Sequence, residues 1–231
     1  MIPLRDTVPS RSFSLVNWLL IASNLAIFVL LLSLGPRYET VVTTLGVVPI
    51  RFIHELGLGQ VLTLLSSMFL HGGWVHVLSN MLALYIFGDN VEDRMGSLRY
   101  LAFYLLCGIA AGLTHVAFNS SSIVPTIGAS GAISGVMAAY ILLYPRARVI
   151  TLIPVFFLPW LVEIPAFIYI GLWFVSQLFN GVLSTVARAE AFGGVAWWAH
   201  VGGFVVGAVL LPLFLATRTK RTAYADEYAP W

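Results

Sequence analysis

Residues 15–34 form a twenty-residue stretch without an ionisable side chain, and apolar stretches of comparable length recur along the rest of the chain. At ~1.5 Å per residue such a helix spans the ~30 Å hydrocarbon core of a bilayer. A 231-residue chain has no soluble core large enough to absorb so many of them. Lipid is therefore the solvent that dictates the fold. Composition agrees, with 59% hydrophobic and 10% charged residues and a mean hydropathy of +0.92. Soluble domains lie near 45–50% apolar and about 25% charged.

Six crossings are expected, at 15–34, 74–91, 98–118, 130–144, 164–182 and 199–216, in an all-α six-transmembrane-helix bundle. The first begins after only fourteen residues, two of them arginine, and reads as a retained helix because no small-residue cleavage site follows it. The long segment 35–73 carries an amphipathic stretch at 61–70, which is expected to lie in the membrane interface. Between 149 and 182 the chain is apolar but interrupted by Pro154, Pro159 and Pro165. The fifth helix is placed after most of these breaks, with Glu163 at its start, where a helix N-terminus tolerates an acid.

Basic residues orient the bundle. With the N-terminus inside, inner segments hold Arg5, Arg11, Arg94, Arg99, Arg146, Arg148, Arg218, Lys220 and Arg221, against Arg37, Arg51 and Arg188 outside. Nine of twelve on one side predicts both termini cytoplasmic. Residues 1–14 and 217–231 are then cytoplasmic tails around a membrane domain at 15–216. The net charge of +2 is spread along the chain and gives no sign of nucleic-acid binding. A single cysteine, Cys107, excludes an intrachain disulfide and says nothing about compartment.

Polar groups inside apolar helices are costly, so those at matching depth carry information. Asn80 lies sixteen residues before Gly96, Ser130 sixteen before Arg146, and His200 eighteen before Arg218. Each is therefore ~24–27 Å from the inner face, a few ångström below the outer boundary. That level is sunk in the membrane yet within reach of external water.

Ser130 lies in Gly128-Ala129-Ser130-Gly131 at the first turn of the fourth helix, where free backbone N–H groups favour developing negative charge. His200 opens the sixth helix. Gly131, Gly135 and Ala139 on one helix and Gly203 and Gly207 on the other form small-residue faces that let the two backbones approach closely. An imidazole within reach of a serine hydroxyl can take its proton and return it to a leaving amine. With no acid at this depth, a Ser-His dyad is expected rather than a triad. His76 and Asn80, at i and i+4 in His71-Gly72-Gly73-Trp74-Val75-His76-Val77-Leu78-Ser79-Asn80, could both donate to an oxyanion.

Each of these residues also has a plainer reading. The serine can be a small packing residue, His200 a structural hydrogen-bonding group, and His76 and Asn80 caps for loop backbone. A metal site from His71, His76 and His200 is open as well, but no carboxylate or cysteine joins them and the His71/His76 spacing is not the i, i+4 zinc pattern. His54 and His115 have no evident partner. No cofactor or metal is expected.

In combination, the His71/His76/Asn80 segment, Gly88-Asp89-Asn90-Val91-Glu92-Asp93-Arg94-Met95-Gly96, Gly128-Ala129-Ser130-Gly131, and Ala199-His200 with Gly203 and Gly207 resemble the rhomboid family of intramembrane serine proteases across almost all of 15–216. The resemblance implies a rhomboid-like bundle that cleaves transmembrane segments of other proteins, with Ser130 as nucleophile and His200 as general base. It implies oxyanion stabilisation by His76, Asn80 and the Ser130 backbone N–H, and structural roles for Glu92 and Arg94. It also implies that the fifth helix and the first loop flank the substrate entrance.

Some relatives place an aromatic four residues after the nucleophile, beneath the histidine ring, where this chain has Ser134. Its hydroxyl is expected to bond the imidazole instead. The expected partners are transmembrane substrates and the bilayer, and the compact core suggests a bacterial cytoplasmic membrane. Two other classes compete. A catalytically silent relative would hold transmembrane helices in the same cleft, and a small transporter or channel would spread ionisable groups through the whole membrane depth.

Overall fold

The apolar stretches fold mainly as helix, in a computed structural model that describes residues 1–55, 57–155, 158–186 and 195–215. A short strand β1 (Ile2–Asp6) precedes α1 (Leu15–Ser33). The segment expected as a long loop winds into three short helices, α2 (Tyr38–Leu45), α3 (Pro49–His54) and α4 (Leu58–Ser66). Then come α5 (Trp74–Ala83), running through a π-helical turn at Leu84–Gly88 into α6 (Asp89–Met95), followed by α7 (Ser97–Phe118) and α8 (Ser130–Leu143). Strands β2 (Arg148–Val155) and β3 (Leu158–Pro165) lead to α9 (Ala166–Val186) and α10 (Trp197–Phe214). Ala216, Arg188 and the 217–231 segment with Arg218, Lys220 and Arg221 lie outside the described residues, so those parts of the topology expectation do too.

Among the described residues four helices, α1, α7, α9 and α10, are long and apolar enough to cross a membrane. Leu58–Phe69 and Trp74–Met95 add a fifth span if counted as one broken unit, bent by 82°. The stretch read as interfacial is thus turned sharply away from the helix that follows it. Helix α8 is different, with only fourteen residues, or ~21 Å. Eleven of its fourteen residues are buried, so it is solvated by protein rather than lipid and need not match the bilayer thickness. Its N-terminus can therefore end inside the bundle, where Ser130 is.

One expectation is corrected. The apolar run after Arg148 is an antiparallel hairpin, pairing Val149 with Ile164 and Ile150 with Glu163, and β1 adds to its other edge through Ile2 opposite Leu152. The fold is mostly helical but not all-α. Prolines 154, 159 and 165 remove backbone donors at short intervals, which a helix interior does not tolerate, and helix resumes only at Ala166, beyond the last of them. Glu163 accordingly sits on β3, in an exposed ion pair with Arg148 at 3.7 Å, rather than at a helix start.

The sheet is tied to the helices through Asp6, whose carboxylate accepts from the Tyr140 hydroxyl of α8 and from Asn90 Nδ2 of α6. Glu92 is buried and accepts from the Val16 and Asn17 backbone N–H groups at 3.1 and 2.7 Å, capping α1. The Arg94 guanidinium lies 5.9 Å from the Tyr144 ring centroid.

Helix α10 packs into the angle between α7 and α8 along the expected small-residue faces. A Cβ on Gly203 would stand 1.9 Å from the Gly131 carbonyl oxygen, and one on Gly207 would stand 2.4 Å from Gly135 Cα. Only glycine allows this approach, which sets the distance between the Ser130 and His200 backbones.

Candidate active site

Ser130 is the first residue of α8, and the loop that delivers it is held from two sides. The Gly128 N–H donates to the Ser67 carbonyl at 2.9 Å, and Val47 and Thr126 exchange backbone hydrogen bonds at 3.0 and 2.7 Å. Gly128 itself has φ +124°, a conformation open to glycine. The chain thereby enters α8 with the Ser130 side chain turned toward α10.

His200 lies in the first turn of α10 and is 8% exposed. Its Nε2 is 2.7 Å from Ser130 Oγ. The other ring nitrogen, Nδ1, is 2.7 Å from Oε1 of Gln177 on α9. Two indoles complete its surroundings, Trp173 with ring centroids 5.7 Å apart and Trp197 at 6.4 Å, edge on.

The expected role of Ser134 is corrected here. Its hydroxyl donates to the Ser130 carbonyl at 2.6 Å, the back-bond an intrahelical serine readily makes, and so is not the imidazole's partner. The amide and the nearer of the two indoles beside His200, that of Trp173, come from α9 instead. Gln177 and Trp173 were not singled out in the sequence. Gln177 is a polar residue buried in an apolar helix, so the criterion that picked Asn80 could have found it.

His76 and Asn80, four residues apart, share one face of α5, and His76 reaches the loop that precedes Ser130. His76 Nε2 would lie 2.7 Å from a Cβ built on Gly128. Its Nδ1 accepts the Gly72 N–H at 3.4 Å, so a neutral ring carries its proton on Nε2, the atom facing the loop. Asn80 is buried, and its Nδ2 has no hydrogen-bond partner. An unpaired buried donor is expensive in the resting state and is available to a new acceptor. The Ser130 backbone N–H belongs to the first turn of α8, where helix amides lack an internal acceptor.

None of the remaining histidines hydrogen-bonds to Ser130 or His200 among the described residues. His71 is fully buried with its ring 5.0 Å from that of His76, His54 is exposed, and His115 is beside Asn119 on α7. Among the described residues no group of three or more His, Cys, Asp or Glu side chains is arranged to hold a metal ion.

A serine hydroxyl 2.7 Å from an imidazole inside an apolar helical bundle defines the class: a membrane-embedded helical protein with a Ser-His pair enclosed between its helices. The chain belongs to the rhomboid family, since the rhomboid domain model matches residues 58–217. It is 30% identical to RHOMBOID-like protein 5 of Arabidopsis thaliana over 77% of this chain and 52% of that protein. It is also 30% identical to RHOMBOID-like protein 12, mitochondrial, of the same plant over 65% of this chain and 46% of the relative. Rhomboid protein 1, mitochondrial, of Saccharomyces cerevisiae (strain ATCC 204508 / S288c) is 27% identical over 64% and 40% respectively. The chain thus spans about half the length of these curated relatives or less. It is an integral membrane protein, and plant and yeast relatives with mitochondrial names lend the bacterial-membrane expectation no support.

Proposed function

We propose that this protein is an intramembrane serine endopeptidase that hydrolyses peptide bonds in or near the transmembrane segments of other membrane proteins. The observation that carries the reading is the 2.7 Å contact between Ser130 Oγ and His200 Nε2, made inside the bundle. Ser130 Oγ attacks the scissile carbonyl carbon while His200 Nε2 takes the hydroxyl proton. The tetrahedral oxyanion is met by the Ser130 N–H, His76 Nε2–H and Asn80 Nδ2. His200 then passes its proton to the leaving amine as the C–N bond breaks, which leaves an acyl-Ser130. A water molecule, deprotonated by the same imidazole, hydrolyses that ester and restores the serine. No cofactor enters this scheme.

Counting α8 and the bent Leu58–Met95 unit as one crossing each gives six crossings, with both termini on the cytoplasmic side. The inner bias of basic residues supports this orientation. The membrane domain then runs over 15–216, with cytoplasmic segments at 1–14 and 217–231. Substrate preference follows from lipid chemistry. A transmembrane helix hides its peptide bonds in its own hydrogen-bond ladder, so segments with glycine or other weak helix formers near the outer boundary are cut in preference to polyleucine.

The test is cleavage in liposomes of a substrate with a glycine-containing transmembrane segment, read by mass, for wild type, Ser130→Ala and His200→Ala. Cleavage by wild type alone supports the protease reading. Silence of all three across a range of substrates, with the substrate helix still captured, identifies a helix-binding relative instead.

A further inference from the structure

The amide of Gln177 has only one orientation that satisfies its neighbours. Its Nε2 donates to the Trp173 carbonyl at 3.2 Å and to Ser176 Oγ at 3.0 Å. Ser176 Oγ in turn spends its own proton on the Trp173 carbonyl at 2.6 Å, so it faces the amide as an acceptor. Rotating the amide would set its oxygen against the Trp173 carbonyl and its NH₂ against the imidazole. With Nε2 committed to α9, Oε1 is the atom directed at His200 Nδ1, 2.7 Å away. An amide oxygen only accepts, so Nδ1 must carry a proton. In the neutral ring this leaves a lone pair on Nε2, facing Ser130 Oγ at 2.7 Å. Both groups are nearly enclosed, with Gln177 5% and His200 8% exposed, so water competes poorly for either contact.

We infer that Gln177 is a positioning residue that holds His200 as the Nδ1–H tautomer and keeps its Nε2 lone pair on the Ser130 hydroxyl. This rests on the protease reading above. It assigns to a neutral amide the orienting role that a carboxylate fills in a Ser-His-Asp triad. Because the amide adds no charge, it fixes the base without holding the imidazolium form against deprotonation. The device is carried by α9, so the competence of the α8–α10 pair depends on a third helix that also places the Trp173 ring beside the same imidazole.

The experiment compares wild type with Gln177→Met, which nearly keeps the volume but removes the acceptor, and Gln177→Glu, which keeps an acceptor and adds charge. Both are read by cleavage kinetics, by thermal stability, and by ¹⁵N NMR of labelled histidine with the His200 signal assigned by its loss in His200→Ala. Expected for Gln177→Met is a fall in kcat on the order of 10²-fold with little change in KM. That is smaller than the ~10⁴-fold loss when a catalytic histidine is forced into the wrong tautomer. The ¹⁵N signature of a protonated Nδ1 in wild type is expected to give way to mixed tautomers. Gln177→Glu is expected to retain most of the activity, with the acidic limb of its kcat/KM profile moved to higher pH, because a carboxylate favours the imidazolium. Wild-type kcat in Gln177→Met, or an unprotonated Nδ1 in wild-type His200, overturns the inference. If wild type itself cleaves nothing, the protease reading fails, and the NMR signature alone still decides what Gln177 does to His200.

Discussion

The Ser134 hydroxyl donates to the Ser130 carbonyl one turn before it, at 2.6 Å, and so turns away from the His200 ring. Ser134→Ala therefore leaves both imidazole contacts in place. Cleavage is expected within a few-fold of wild type, and stability within about 1 kcal/mol, the worth of one such hydrogen bond. Measurement of kcat and thermal stability checks this, and a hundredfold loss of kcat would put the serine back beside the histidine.

Asn80 presents a buried amide donor without a partner, and His76 presents Nε2 to the loop before Ser130. If they serve the oxyanion, Asn80→Ala and His76→Ala each lower kcat by about 10²–10³ with KM little changed, as removal of an oxyanion donor does elsewhere. A change confined to KM would instead assign them to substrate binding.

The seam between α8 and α10 admits no added atom at Gly203, where a Cβ would fall 1.9 Å from the Gly131 carbonyl oxygen. Gly203→Ala is expected to destabilise by about 1–3 kcal/mol or more, and to impair cleavage by displacing His200 one turn away. Gly171 of α9 has nothing within 4 Å of such a Cβ, so Gly171→Ala serves as the neutral comparison in the same unfolding assay.

Asp6 joins the sheet to the bundle, and burial, with a smaller contribution from nearby Asp89, raises its carboxyl from 3.8 to about 6. A raised acid binds its proton more tightly in the folded state. Its contribution to stability is thus fully present below the ordinary value of 3.8 and is lost as pH rises through about 6. The thermal midpoint of wild type is expected to fall across that interval, and Asp6→Asn, which cannot ionise, flattens the fall. Identical pH profiles for the two proteins would contradict it.

The parts of this molecule that were legible in its sequence are those where lipid imposes a strong rule. Asn80, Ser130 and His200 stood out because polar groups in apolar helices are few and costly, and the Ser130–His200 contact followed from glycines at Gly131, Gly135, Gly203 and Gly207. The 149–165 hairpin was hidden because a short apolar run suits a strand or a buried helix equally, and only its prolines hinted at the outcome. Gln177 is not legible in the sequence as a histidine's partner because an acid is the ordinary signal for one, whereas a neutral amide fills that place here. The docking of Asp6 under Tyr140 joins residues far apart in the chain, and no local pattern announces it.

The most direct test of the Ser130–His200 site needs no substrate. Purified wild type, Ser130→Ala and His200→Ala in liposomes are treated with a fluorophosphonate, and the modified residue is located by mass spectrometry. An activated serine predicts labelling of wild type at Ser130, none in Ser130→Ala, and a rate in His200→Ala reduced by orders of magnitude. Labelling at another residue, or equal labelling in wild type and His200→Ala, would show that this histidine does not activate this serine.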